Sequence, residues 1–101
     1  MIATPWTLYM LRCNDGSLYT GITTDVQRRF IEHQSGSKQA KSLRGKSIVD
    51  IAFTLGVESK SEALRIEAYI KRLPKYKKEL LISGDEVLTE SVNQYCAKSV
   101  R

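Results

Sequence analysis

A chain of 101 residues is expected to form one domain, because two would each bury too little surface to stand without metal or disulfide support. With 42% apolar and 27% charged residues it is too hydrophobic for a disordered segment, and its longest apolar-leaning stretch, residues 48–57, contains Asp50 and is too short to cross a bilayer. Lys and Arg number 16 against 11 Asp and Glu, a net charge of +5 that favours a polyanionic partner such as nucleic acid or an anionic membrane surface.

The first five residues, Met1-Ile2-Ala3-Thr4-Pro5, have neither the basic start nor the apolar run of a secretory signal, so a soluble, cytoplasmic protein with no membrane attachment is expected. In that compartment Cys13 and Cys96 are expected as reduced thiols. With the single histidine, His33, they fall short of a four-ligand zinc site.

Residues 6–13 and 18–23 alternate in the manner of strands, and Asn14-Asp15-Gly16 between them is a strong turn signal. A three-residue loop sets Cys13 opposite Ser17, Leu11 opposite Tyr19 and Tyr9 opposite Gly21. Trp6, Leu8, Met10, Leu18 and Ile22 then share a core face. Tyr9, Leu11, Tyr19, Gly21 and Thr23 share the other, with Gly21 leaving room above the sheet. A helix is expected next, capped by Thr24 with Gln27 and ended by Ser35-Gly36. It sets Val26, Phe30 and His33 on one side, Arg29 at the edge and Arg28 in solvent.

Residues 37–46 read as a polar loop carrying Lys38, Lys41, Arg44 and Lys46, and residues 48–57 as a third strand. Ser59 and Glu62 form a capping box opening a helix over residues 60–73, with Ala63, Leu64, Ile66, Ile70 and Leu73 as its apolar stripe. Pro74 interrupts it. Residues 75–83 form a basic amphipathic helix stopped by Gly84. The order β-β-α-β-α-α predicts an α+β fold, a small three-stranded antiparallel sheet flanked by helices. The domain is expected over residues 1–84, with 85–101 a weakly patterned extension.

Glu67 falls inside the apolar stripe, where a carboxylate is costly unless it is paired or binds a metal. A slight rotation of the helix would instead place it at the stripe's edge, paired with Lys71. Arg29 and His33, four residues apart, project together, either as an anion-facing pair above the tyrosines or as a solvated edge. Lys46 and the other loop cations, with Lys71, Arg72, Lys75, Lys77 and Lys78, are candidate phosphate contacts, and Tyr76 among them is a candidate base-stacking residue.

Thr7-Leu8-Tyr9, then Leu18-Tyr19-Thr20-Gly21, Arg29 ten residues beyond Tyr19, and His33 four beyond that, resemble the signature of the GIY-YIG nucleases. Glu62-Ala63-Leu64-Arg65-Ile66-Glu67 resembles the segment in which that family carries its metal-binding glutamate. The likeness covers most of the chain and is closest to the short stand-alone bacterial members. Thr7-Leu8 stand for Gly-Ile and Thr20 for the Ile of the second tripeptide, while both tyrosines and Gly21 are kept. Some members also carry a C-terminal asparagine at the site, and Asn93 is the one later Asn here.

The resemblance implies phosphodiester hydrolysis with one divalent metal, Mg²⁺ or Mn²⁺, held by Glu67. Arg29 would stabilise the transition state, Tyr9 act as general base, Tyr19 position water or phosphate, and His33 assist proton transfer. The expected partner is nucleic acid, DNA in repair or recombination. A protein partner is open, as is the oligomeric state. A binding module with the same fold but little activity of its own is the alternative.

Overall fold

The computed structural model describes residues 5–35, 43, 45–86 and 89–92. The elements run β1 (Trp6–Cys13), β2 (Leu18–Thr23), α1 (Val26–Ser35), β3 (Ile48–Val57), α2 (Lys60–Lys71) and α3 (Lys75–Ile82). The three strands form one antiparallel sheet in the order β2-β1-β3, so the first strand made is the central one.

The hairpin register is the expected one, with Tyr9 opposite Gly21 and Leu11 opposite Tyr19. Its loop closes because the Cys13 amide donates to the Ser17 carbonyl at 2.9 Å while Gly16 takes a positive φ of 86°. That turn conformation suits a residue without a Cβ. On the other side of β1 the register slips twice. Met10 pairs with Phe53 but Leu11 with Ile51, and Arg12 with Asp50 but Cys13 with Ile48, passing over Ala52 and Val49. These bulges let an imperfectly alternating β3 put Phe53 and Leu55 on one face and Ile48 and Ile51 on the other.

The first face is the expected core. Leu8 and Met10 pack with Ala63, Ile66 and Ile70 of α2 and Leu81 of α3, and Trp6, Leu18 and Ile22 join them. Packing continues past Gly84, because Val92 is buried in the same cluster. The second face is not the open surface the alternation suggests. Tyr9, Leu11 and Cys13 form a second core with Leu43, covered by Val26 and Phe30 of α1. The sheet is the middle of three layers, and that closes a site over the tyrosines.

Helix ends show where local chemistry decides. Asp25, not Thr24, caps α1: its Oδ1 accepts from the Arg28 amide at 3.1 Å, while the Thr23 hydroxyl receives the Asp25 amide. Ser59 caps α2 as expected, and the Glu62 carboxylate accepts from the Glu58 amide, one residue before the cap. Leu64 is 47% exposed, so α2 is rotated away from the expected stripe and is buried through Ala63, Ile66 and Ile70. The α3 helix ends where the Asp85 amide turns back to the Leu80 carbonyl and the Gly84 amide to that of Leu81. Among the described residues, no helix is long and apolar enough to cross a membrane.

Candidate active site

Central strand β1 delivers Tyr9 to the second face, and β2 delivers Tyr19 beside it with ring centroids 6.2 Å apart. From above, α1 inserts His33, whose ring lies 6.2 Å from that of Tyr9 and 5.3 Å, edge-on, from that of Tyr19. The Tyr9 hydroxyl is 3.1 Å from His33 Nε2. Both side chains are sealed, with exposures of 1% and 0%, whereas Tyr19 and Arg29 are only half-buried and form the mouth of the site.

Gly21 is the floor of this arrangement. A Cβ built there would lie 2.6 Å from the Tyr9 hydroxyl and 2.7 Å from its Cζ. The space opposite Tyr9 that the sequence pattern left open is thus filled by the Tyr9 ring itself. Glycine is required for close approach, not for an unusual backbone angle.

Arg29 reaches the Tyr9 hydroxyl from the helix and also donates to Glu32 Oε1 at 2.9 Å. A guanidinium only donates, so in its pair with Arg29 the Tyr9 oxygen accepts. The direction of the Tyr9–His33 hydrogen bond follows the imidazole tautomer: Nε2 accepts from the phenol when the ring proton is on Nδ1 and donates to it when the proton is on Nε2. Burial, followed by the charge of Arg29, lowers the His33 pKa and keeps the ring neutral at pH 7. Burial, followed by the neighbouring Tyr19, pushes the Tyr9 phenol up to about 12, against the opposing pull of Arg29.

Glu67 comes from the opposite layer. Its charge is felt at Tyr9, where it raises the pKa further. The side chain is 17% exposed and paired with Lys71 at 3.2 Å. The edge-pair geometry and proximity to the tyrosines therefore hold together, because the rotation that exposes Leu64 carries Glu67 to the rim of the buried stripe. Among the described residues no group of three or more His, Cys, Asp or Glu gathers as a metal cluster. A single carboxylate still suits magnesium, which keeps most of its shell as water and phosphate oxygens.

The basic residues are dispersed. Lys46 is tied to the hairpin loop, 3.0 Å from the Ser17 hydroxyl and 3.6 Å from Asp15. Lys75 pairs with Glu79, which also takes both ends of the Arg12 guanidinium. Lys77 and Lys78 lie half-buried along the inner side of α3, and Lys78 is electrostatically close to Lys71. Arg72 is exposed between the helices, and Tyr76 projects into solvent with Leu80. Lys38, Lys41, Arg44 and Asn93 lie outside the described residues. Glu32 was missed in the sequence, although its spacing three residues after Arg29 is a recognisable pairing signal.

Tyr9, its two ring neighbours Tyr19 and His33, and Arg29 at the mouth thus form one cluster on the second face, with the Glu67 carboxylate in the layer opposite. The chain belongs to the GIY-YIG catalytic domain family, whose model matches residues 5–79. That is a nuclease family, and its members generally use divalent metal ions. Among its relatives, the UPF0213 protein of Enterobacter sp. strain 638 is 52% identical, over 91% of this chain and 92% of the relative. The UPF0213 protein YhbQ of Escherichia coli O127:H6 is 51% identical over 89% of each chain. Two solution NMR structures share the fold. One is the UPF0213 protein BH0048 of Bacillus halodurans, with TM-score 0.50 and 44% identity over 83% of this chain and 92% of that one. The other is the E. faecalis protein EF2693, with TM-score 0.55 and 32% identity over 81% and 88%.

Proposed function

We propose that this protein is a cytoplasmic, metal-dependent endonuclease that hydrolyses phosphodiester bonds in nucleic acid, with DNA in repair or recombination as its substrate. The observation that carries the proposal is the Tyr9 hydroxyl held between Arg29, which can only donate, and a neutral His33 whose Nε2 lies 3.1 Å away. The phenol can take a proton from an attacking water only as it gives up its own, and His33 Nε2 is placed to receive it. Arg29, at the mouth, faces the phosphate and offsets the charge that builds on it in the transition state. Tyr19 walls the opening and orients water or phosphate. Glu67 is the residue that would hold Mg²⁺ or Mn²⁺, and a bound cation would supply Lewis-acid stabilisation of the leaving oxygen. Lys46, Lys71, Arg72, Lys75, Lys77 and Lys78, with Lys38, Lys41 and Arg44, are the proposed contacts to the rest of the strand.

One observation favours a second reading, a binding module that cleaves little without a partner. A phenol pushed up to about 12 and sealed from solvent is an idle base until something lowers its pKa. One experiment separates the two. Labelled single-stranded, duplex and branched DNA, and RNA, are incubated with the protein in Mg²⁺, Mn²⁺ or EDTA, beside Glu67→Ala and Arg29→Ala. Cleavage that needs metal and falls about 100-fold or more in both variants supports the enzyme. Binding without metal-dependent cleavage on any substrate supports the module. Cleavage that survives Glu67→Ala unchanged removes Glu67 from the metal role.

A further inference from the structure

Arg29 is the one site residue whose charge must meet the substrate, yet in the free protein that charge is already answered. Its Nη1 donates to Glu32 Oε1 at 2.9 Å, and both side chains are largely buried. The pair is part of a connected series: Glu32 to Arg29, Arg29 to the Tyr9 hydroxyl, Tyr9 to His33. Three of these four residues lie within five positions on α1, so the helix fixes their spacing. A carboxylate presents two anionic oxygens to a guanidinium in much the way a phosphodiester presents its two non-bridging oxygens.

We propose that Glu32 is a built-in stand-in for the substrate phosphate: it holds Arg29 in the free protein, is displaced when a nucleic-acid phosphate arrives, and so sets the affinity threshold of the site. The proposal rests on the nuclease reading for the identity of the phosphate. Its physical content is exchange. Arg29 keeps an anionic partner before and after binding, so its charge at the mouth of the site is answered throughout. The entering phosphate must outcompete a carboxylate that is covalently tethered and therefore present at high effective concentration. Removing the charge at position 32 therefore tightens binding, whereas a residue that merely braced Arg29 would weaken it when lost.

The test is a double-mutant cycle on binding of a short fluorescein-labelled DNA oligonucleotide, in EDTA so that nothing is cut. Glu32→Gln is expected to bind about 5-fold more tightly than the unaltered protein, and Glu32→Ala to tighten it in the same direction. Glu32→Asp, which keeps the charge, is expected to stay within about 2-fold. In the Arg29→Ala background Glu32→Gln is expected to give no tightening. Unchanged or weaker binding by both charge-removing variants overturns the proposal. So does tightening that persists without Arg29, because that would be the effect of net charge alone. Where the protein cleaves, Glu32→Gln should lower KM by more than it changes kcat. If no substrate is cleaved, the nuclease reading fails while the binding cycle still decides the role of Glu32.

Discussion

Replacing Gly21 by alanine tests the geometry of the site with one methyl group. The new Cβ would stand 2.6 Å from the Tyr9 hydroxyl and 3.2 Å from Tyr19 Cε2, so one ring or the strand must give. Reaching the 3.4 Å of ordinary contact moves the phenol by about 0.8 Å. Tyr9 has little room to retreat, since it is buried among Leu11, Cys13 and Leu43 and covered by α1. Overpacking of this kind costs about 1–3 kcal/mol. Loss of the 3.1 Å contact to His33 adds about 1 kcal/mol. For a chain of this size that corresponds to a fall in melting temperature of roughly 10–20 °C. An alanine at an unconstrained strand position would instead raise stability slightly over glycine, so the sign alone is diagnostic. Thermal unfolding followed by circular dichroism reads it directly. On the proposed mechanism, a displacement near an ångström at the base also costs about 100-fold in cleavage. A Gly21→Ala protein that melts at or above the unaltered temperature would show that Tyr9 does not lie over Gly21 as described.

Three further outcomes are expected. Below about pH 6.5 the unfolded chain takes up a proton that buried His33 resists, so stability falls as pH drops through that range. His33→Gln should flatten the slope in denaturant titrations at pH 7 and pH 5, and an unchanged slope would count against a neutral His33. Glu79 is held down at about 2 by Arg12, with Lys75 assisting, against an ordinary 4.5, so its contribution is present above pH 4.5 and is lost as pH falls towards 2. Glu79→Gln should therefore unfold less steeply across that window than the unaltered chain. Finally, Ile66→Ala should cost about 2–5 kcal/mol and Leu64→Ala less than about 1 kcal/mol in equilibrium unfolding. Similar losses at both positions would contradict the observed rotation of α2.

The strands and their register were legible because the pattern and turn chemistry agree. An apolar-polar alternation on both sides of Asn14-Asp15-Gly16 admits one pairing, and that pairing puts Tyr9 opposite Gly21. What alternation does not reveal is that a face bearing tyrosines is also covered. Leu43 and Phe30, which cover it, lie on other segments, and their approach is a tertiary fact. Arg29 was separable from Arg28 by helical angle, and it is the half-buried one of the two. Leu64 was misplaced because an apolar residue beside Ala63 looks like core until the rotation of α2 against the sheet is known. Competing caps caused the other slip: Thr24 and Asp25 are both good caps, and the Thr23 hydroxyl binding the Asp25 amide settles it for Asp25.

The position of β1 in the middle of the sheet also orders events in time. Its hairpin partner follows at once, and α1 soon after, so Tyr9, Tyr19, Arg29 and His33 all lie within the first third of the chain. Its other neighbour comes late: Trp6 pairs with Val57, and Glu67 lies further on still. As the polypeptide leaves the ribosome, the residues of the aromatic cluster are therefore made before the carboxylate proposed for the metal, and before Leu43 and β3, which complete the core around Tyr9. Under the proposed roles, a half-synthesised chain has a base and an arginine but no means of holding a cation. Under those roles the site is complete only once α2 has docked.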